Sequence, residues 1–193
     1  ITFEQFSKNF CKKVGIKPTT STEELTAYIR KTFLFLCRRG IIKGTYIKRY
    51  KSQFEQIGVL YNKANCLAQY LPDNKNLYIF VENEVIRTIG ENSLVYCENG
   101  CIIIKDNATA WCKNSDVYCY GNSKVNAVWC GSVIVFDNAE AIVTHCSCVQ
   151  AENNTKIELI TCCTAFVLDN ATVNARDTCY IQEEGNAKVI ANK

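Results

Sequence analysis

Apolar residues recur at helical spacing through roughly the first 70 positions and alternate with polar ones through the last hundred. Phe3, Phe6, Phe10 and Val14 mark one face of a helix ending at Gly15, with Thr2 and Gln5 at capping-box spacing. Ser21 and Glu24 repeat that device ahead of Leu25, Tyr28, Ile29, Phe33 and Leu36, a second stripe that Gly40 closes. A third pattern, Ile47, Tyr50, Phe54, Ile57, Tyr61, Ala64 and Leu67, predicts one long helix from about Thr45 to Leu71. Pro72 stops it and Gly58 kinks it. Leu77 to Val81 and Val85 to Ile89 then predict short strands.

Beyond them the alternation sits inside a longer period. Asn107, Asn122, Asn138, Asn154, Asn170 and Asn186 recur at spacings of 15, 16, 16, 16 and 16, with Asn92 another 15 upstream. Each opens an octad such as Asn170-Ala-Thr-Val-Asn-Ala-Arg-Asp177, and intervening octads start at Asn99, Asn114, Cys130, Cys146, Cys162 and Thr178. The second set drifts from Asn to Cys while the first stays Asn, so the unit is a coil of 16 residues with two sides. The fold class expected is α+β: a small N-terminal helical domain followed by a parallel β-helix, or β-solenoid, with 16-residue two-sided coils. Residues 1–76 form the basic helical domain, 77–91 the strands leading in, and 92–193 about six coils.

The fourth octad positions, among them Val95, Ile102, Ala110, Val117, Val125, Val133 and Val149, should point inward, and small second positions imply a thin core. Asn at the corners suits a left-handed turn, with amides stacked from coil to coil. Cys130, Cys146 and Cys162 should stack as a thiol ladder. There is no CxxC pair, and His145 and Cys146 point to opposite faces of a strand, so neither a metal nor a cofactor is expected.

Charge separates the halves. Residues 1–90 carry 15 Lys/Arg against 7 Asp/Glu, and residues 91–193 carry 7 against 12. That asymmetry implies two modules, the first able to attract acidic surfaces or phosphate. The 13 cysteines are odd in number and fall mostly in strand-like runs, which favours buried thiols in a reducing, cytoplasmic setting. No apolar run approaches the roughly 20 residues of a membrane span. The chain opens on Ile1 and has no Met, as expected of one lacking its initiator. The sequons at Asn107, Asn153 and Asn170 are what the repeat itself produces.

Two surfaces are candidates for function. Arg38, Arg39, Lys43, Lys48, Arg49 and Lys51 are six cations within 14 residues free of acids, with Tyr46 and Tyr50 interleaved as stacking platforms. They form a contact for nucleic acid or an acidic protein, or else a solvated basic surface or one that docks on the acidic solenoid. The outward positions of the even octads, Tyr118, Tyr120, Ile134, Phe136, Phe166 and Leu168, form an apolar protein-interaction face, which the helices cover or a partner or second copy occupies. Catalysis has little support, because any nucleophile–base arrangement must use His145 and nothing marks a partner for it.

The octads over residues 92–193 resemble the short-coil parallel β-solenoids with Asn-Ala-x-Val-x-Ala repeats found in small, mostly uncharacterised proteins of gut bacteria and their phages. The resemblance speaks for fold and says little of function. Together these readings lead to the expectation of a non-enzymatic binding protein. In its concrete form it is a phage or mobile-element inhibitor of a host nucleic-acid machine such as a CRISPR or other defence nuclease. Its partner would be a protein or protein–nucleic-acid complex, with no membrane involved. The alternative is a self-assembling fibre or adhesin-type β-helix.

Overall fold

In-register stacking of like residues builds the fold. The computed structural model describes residues 3–17, 21–62, 77–89, 92–161, 163–176 and 179–192. With strands numbered in chain order, one sheet has nine: β1 (Val59–Tyr61), β2 (Tyr78–Glu82), β4 (Leu94–Glu98), β6 (Thr109–Lys113), β8 (Lys124–Val128), β10 (Glu140–Thr144), β12 (Lys156–Thr161), β14 (Thr172–Arg176) and β16 (Lys188–Asn192). The other has seven: β3 (Val85–Ile89), β5 (Cys101–Ile104), β7 (Asp116–Cys119), β9 (Ser132–Val135), β11 (Cys148–Ala151), β13 (Thr164–Val167) and β15 (Tyr180–Glu183). The strand pairs are parallel throughout, and the chain alternates between the sheets. It is a parallel β-solenoid of about seven turns preceded by a few helices.

Period-2 alternation explains the core. Val95, Ala110, Val125, Ala141, Ile157 and Val173 are register partners in one sheet, and Ile102, Val117, Val133, Val149 and Ala165 in the other. All are buried, as the repeat predicts. Each buried Val or Ile contributes on the order of 1.5–3 kcal/mol over leaving it exposed. Ala108, Ser123, Ala139, Thr155 and Ala171 sit fully buried where the sheets meet at the corners, and only small side chains fit there.

The corners correct one expectation. Asn99 and Asn114 are left-handed as expected, but at Asn107, Asn122, Asn138, Asn154, Asn170 and Asn186 the left-handed residue is the one before: Asp106, Gly121, Asp137, Asn153, Asp169 and Gly185. The following Asn instead donates its backbone N–H one coil back, as Asn122 does to Asp106 at 2.8 Å and Asn154 to Asp137 at 2.9 Å. Carboxylates join this ladder, with Asp137 Oδ2 accepting from the Gly121 N–H at 2.9 Å. The amide stack is seen between Asn170 and Asn186, where Nδ2 lies 3.4 Å from Oδ1.

The thiol ladder is also shifted. Cys130 and Cys146 are buried, and the Cys130 N–H donates to Cys146 Sγ at 3.3 Å. The third rung is the buried Cys163, whose Sγ donates to Thr161 O as Cys146 Sγ does to Thr144 O. Cys162 lies outside the described residues. A one-residue bulge pairs Thr144 with Thr161, and the next corner is one residue shorter, so Thr164 pairs with Cys148.

The helices follow the sequence in part. Helices α1 (Phe3–Val14) and α2 (Thr22–Arg38) form as expected. Ser21 and Glu24 make the full capping box, and Gly40 turns the chain at φ +62°. Thr2, the first expected cap, lies outside the described residues. The expected long third helix does not form over its described part. Helix α3 (Gly44–Arg49), helix α4 (Lys51–Gln56) and strand β1 take its place, and Gly58 at φ +80° ends the helical path rather than kinking it. Its remainder falls on residues 63–71, which are not described.

Phe10, Ile29, Phe33, Leu36, Ile47 and Phe54 pack with Tyr78, Phe80 and Tyr96, the outward residues of β2 and β4. The helices therefore lie on the nine-stranded sheet. Tyr96 and Trp111, on the outer face of β4 and β6, belong to this packing.

Candidate functional site: a cationic cleft beside a corner row

Where α2 ends, Arg38 and Arg39 face the outer surface of β2, β4 and β6 across a cleft of about 480 Å³. Gly40 reverses the chain, Ile42 anchors it in the core, and Lys43 holds an extended conformation at the cap of α3. Gly44 is packed directly against the Glu82 carboxylate, so a larger residue would push that wall outward. Lys113, at the end of β6, closes the far side.

Two carboxylates line this cleft, and both are engaged. Glu98 accepts from the Tyr96 hydroxyl at 3.1 Å and from Lys113 Nζ at 3.3 Å. Glu82 accepts from the Tyr61 hydroxyl at 2.9 Å and lies 3.7 Å from Lys48 Nζ. Burial, then the Glu98 charge, pushes the Tyr96 hydroxyl well above its usual range, so it stays a donor. The Tyr61 hydroxyl, with Glu82 behind it, raises the Lys48 ammonium. Arg38 lies over Trp111 at 5.3 Å and Arg39 over Phe35 at 5.6 Å. Among the described residues, Arg38, Arg39 and Lys43 have no carboxylate partner. At the start of β8 in the same sheet, by contrast, Lys124 is committed to Glu140 at 2.8 Å.

The six cations singled out from sequence are thus divided. Arg38, Arg39 and Lys43 share the cleft. Lys48 turns to Glu82 and rests 4.8 Å over the Tyr61 ring. Arg49 lines a separate small hollow with Phe6, Phe10 and Ile41, and Lys51 is exposed at the start of α4. The tyrosines serve packing instead of an open platform: Tyr46 is half-buried with its ring 5.2 Å from Phe6, and Tyr50 is buried.

A feature absent from the sequence reading runs beside this cleft. Strands β2, β4, β6, β8 and β10 each end on a left-handed residue: Asn83, Asn99, Asn114, Trp129 and His145. The rings of Trp129 and His145 stack at 4.2 Å and 11°, and Trp129 is 57% exposed. Their corners are also one residue longer. Lys113 and Val117 are four apart in sequence, whereas their respective register partners, Val128 and Val133, are five apart. The step from a 15- to a 16-residue period after Asn114 was the signal available in the sequence.

The other candidate face lies on the seven-stranded sheet. Tyr118, Tyr120, Ile134, Phe136 and Leu168 are half-buried and Phe166 is 38% exposed, with Tyr120 and Phe136 stacked at 4.9 Å. None of them belongs to the cluster formed with the helices. No family model, curated protein or solved structure matches this chain. Among the described residues, no helix is long and apolar enough to cross a membrane.

Proposed function

We propose that this chain is a non-enzymatic binding protein that engages a nucleic-acid-handling machine through its cationic cleft and modulates or inhibits it. The observation carrying this reading is the grouping of Arg38, Arg39 and Lys43 around a cleft whose carboxylates, Glu82 and Glu98, are already used internally. Cations without a carboxylate partner among the described residues favour phosphate or carboxylate groups on a binding partner. We take each coil as two-sided, one side carrying the helices and the cleft and the other free for further contact. In its most concrete form the protein is a phage or mobile-element inhibitor of a host defence nuclease, acting in the cytoplasm, where its thiols stay reduced.

Charge reversal tests it. Arg38→Glu, Arg39→Glu and Lys43→Glu together should abolish co-purification of nucleic acid or a nucleic-acid-handling protein from host lysate, with the circular dichroism spectrum retained. Undiminished capture by that variant ends the reading. A second reading, a self-assembling fibre or adhesin-type β-helix, draws on the apolar row of Tyr118, Ile134, Phe136 and Phe166. Sedimentation decides it: a concentration-dependent oligomer supports assembly, and a monomer at high concentration removes it.

A further inference from the structure

Trp129 stands where its own fold makes it costly. The three preceding corners of its row carry Asn, which tolerates left-handed backbone, whereas Trp129 adopts φ +58° and His145 φ +54°. A bulky residue is strained in that conformation. Stacking on His145 offsets part of that strain and still leaves Trp129 more than half exposed. Core packing accounts for neither the choice of residue nor its exposure.

The pair lies next to the cleft. Lys113 and Val128 are direct register partners, so Lys113 and the strand leading into Trp129 are neighbours at the strand spacing of about 4.8 Å. Arg38, Arg39, Lys43 and Lys113 at one end and the Trp129–His145 stack at the other therefore share one edge of the solenoid. The nearby acids are occupied: Glu98 by Lys113 and Tyr96, and Asp116 by the Ser132 N–H at 2.9 Å. Cations that hold a phosphate backbone beside an exposed aromatic that accepts a base are the two elements of single-strand recognition. A duplex keeps its bases stacked on one another, and an acidic peptide offers carboxylates without a base to stack.

We propose that this edge binds single-stranded nucleic acid, its phosphates on Arg38, Arg39 and Lys43 and a base against Trp129. The proposal rests on the binding role of the cationic cleft and names its ligand.

Fluorescence anisotropy with a labelled 12-nucleotide oligothymidylate and a 12-base-pair duplex tests it on the full chain. Trp129→Asn restores the residue type of the same corner row and should fold with an unchanged or higher Tm. It should bind the single strand about 5- to 150-fold more weakly. Trp129→Phe, which keeps a ring, should retain more affinity than the Asn variant. Lys43→Ala should flatten the dependence of log affinity on log salt by about 0.7. Absence of single-strand binding, equal affinity for the duplex, or a folded Trp129→Asn variant that binds like the parent would each overturn the proposal. In those cases loss of lysate capture on charge reversal still upholds the broader binding role, and retained capture removes both.

Discussion

At the residue scale, the corners show how little separates a correct reading from one shifted by a single position. Asp-Asn and Gly-Asn pairs mark the turns, and both members of an Asp-Asn pair tolerate left-handed backbone. What decides between them is the next residue. Ala108, Ala139 and Ala171 are fully buried, so the Asn before each must bring the chain inward, and the residue ahead of it takes the left-handed conformation. Glycine is required at Gly121, where φ is +67° and an added Cβ would stand 2.9 Å from the Asp106 backbone nitrogen. Gly121→Ala should therefore lower stability by about 1–3 kcal/mol, read as a fall in Tm with the β-sheet spectrum preserved. An unchanged Tm would mean the corner relaxes at no cost.

Among the elements, the two helices with clear stops were legible, and the third pattern was not. Ile57 and Tyr61 fit a helical stripe, yet Val59, Leu60 and Tyr61 pair instead with Tyr78, Ile79 and Phe80. Helical periodicity and a short buried strand look alike over so few residues, and pairing with a strand almost 20 positions away settles the matter. Helix α2 is the element that joins helices to sheet, through Phe33 and Leu36 against Tyr78 and Tyr96. Leu36 is fully buried, so Leu36→Ala should cost about 2–5 kcal/mol. The expected readout is a lower urea midpoint for the helical signal at 222 nm; a midpoint matching that of the parent would show that α2 contributes little to the docking.

For the whole molecule, burial sets the thiol chemistry. Cys37, Cys112 and Cys119 are pushed well above their usual range by burial, and the neighbouring Cys97 thiol adds to it at Cys112. A raised thiol stays protonated and unreactive at neutral pH. Iodoacetamide at pH 8 should first label the half-buried Cys101, Cys148 and Cys179 and leave Cys37, Cys112 and Cys119 unmodified until denaturant is added, as mass spectrometry would read. Uniform labelling of the native chain would mean that the thin core opens readily. By itself the sequence determined the solenoid, its inward residues and its corner spacing, because these are set by alternation and repeat length over a few neighbouring positions. It also showed the charge division that first pointed to Arg38, Arg39 and Lys43. Only the tertiary structure decided that the helices cover the nine-stranded sheet, that Lys48 is claimed by Glu82, and that a Trp129–His145 stack follows the strand paired with the one that ends at Lys113. Both sheets offer outward aromatics of similar kind, so the choice between them depends on the fit of shapes between segments far apart in the chain, which no periodicity encodes.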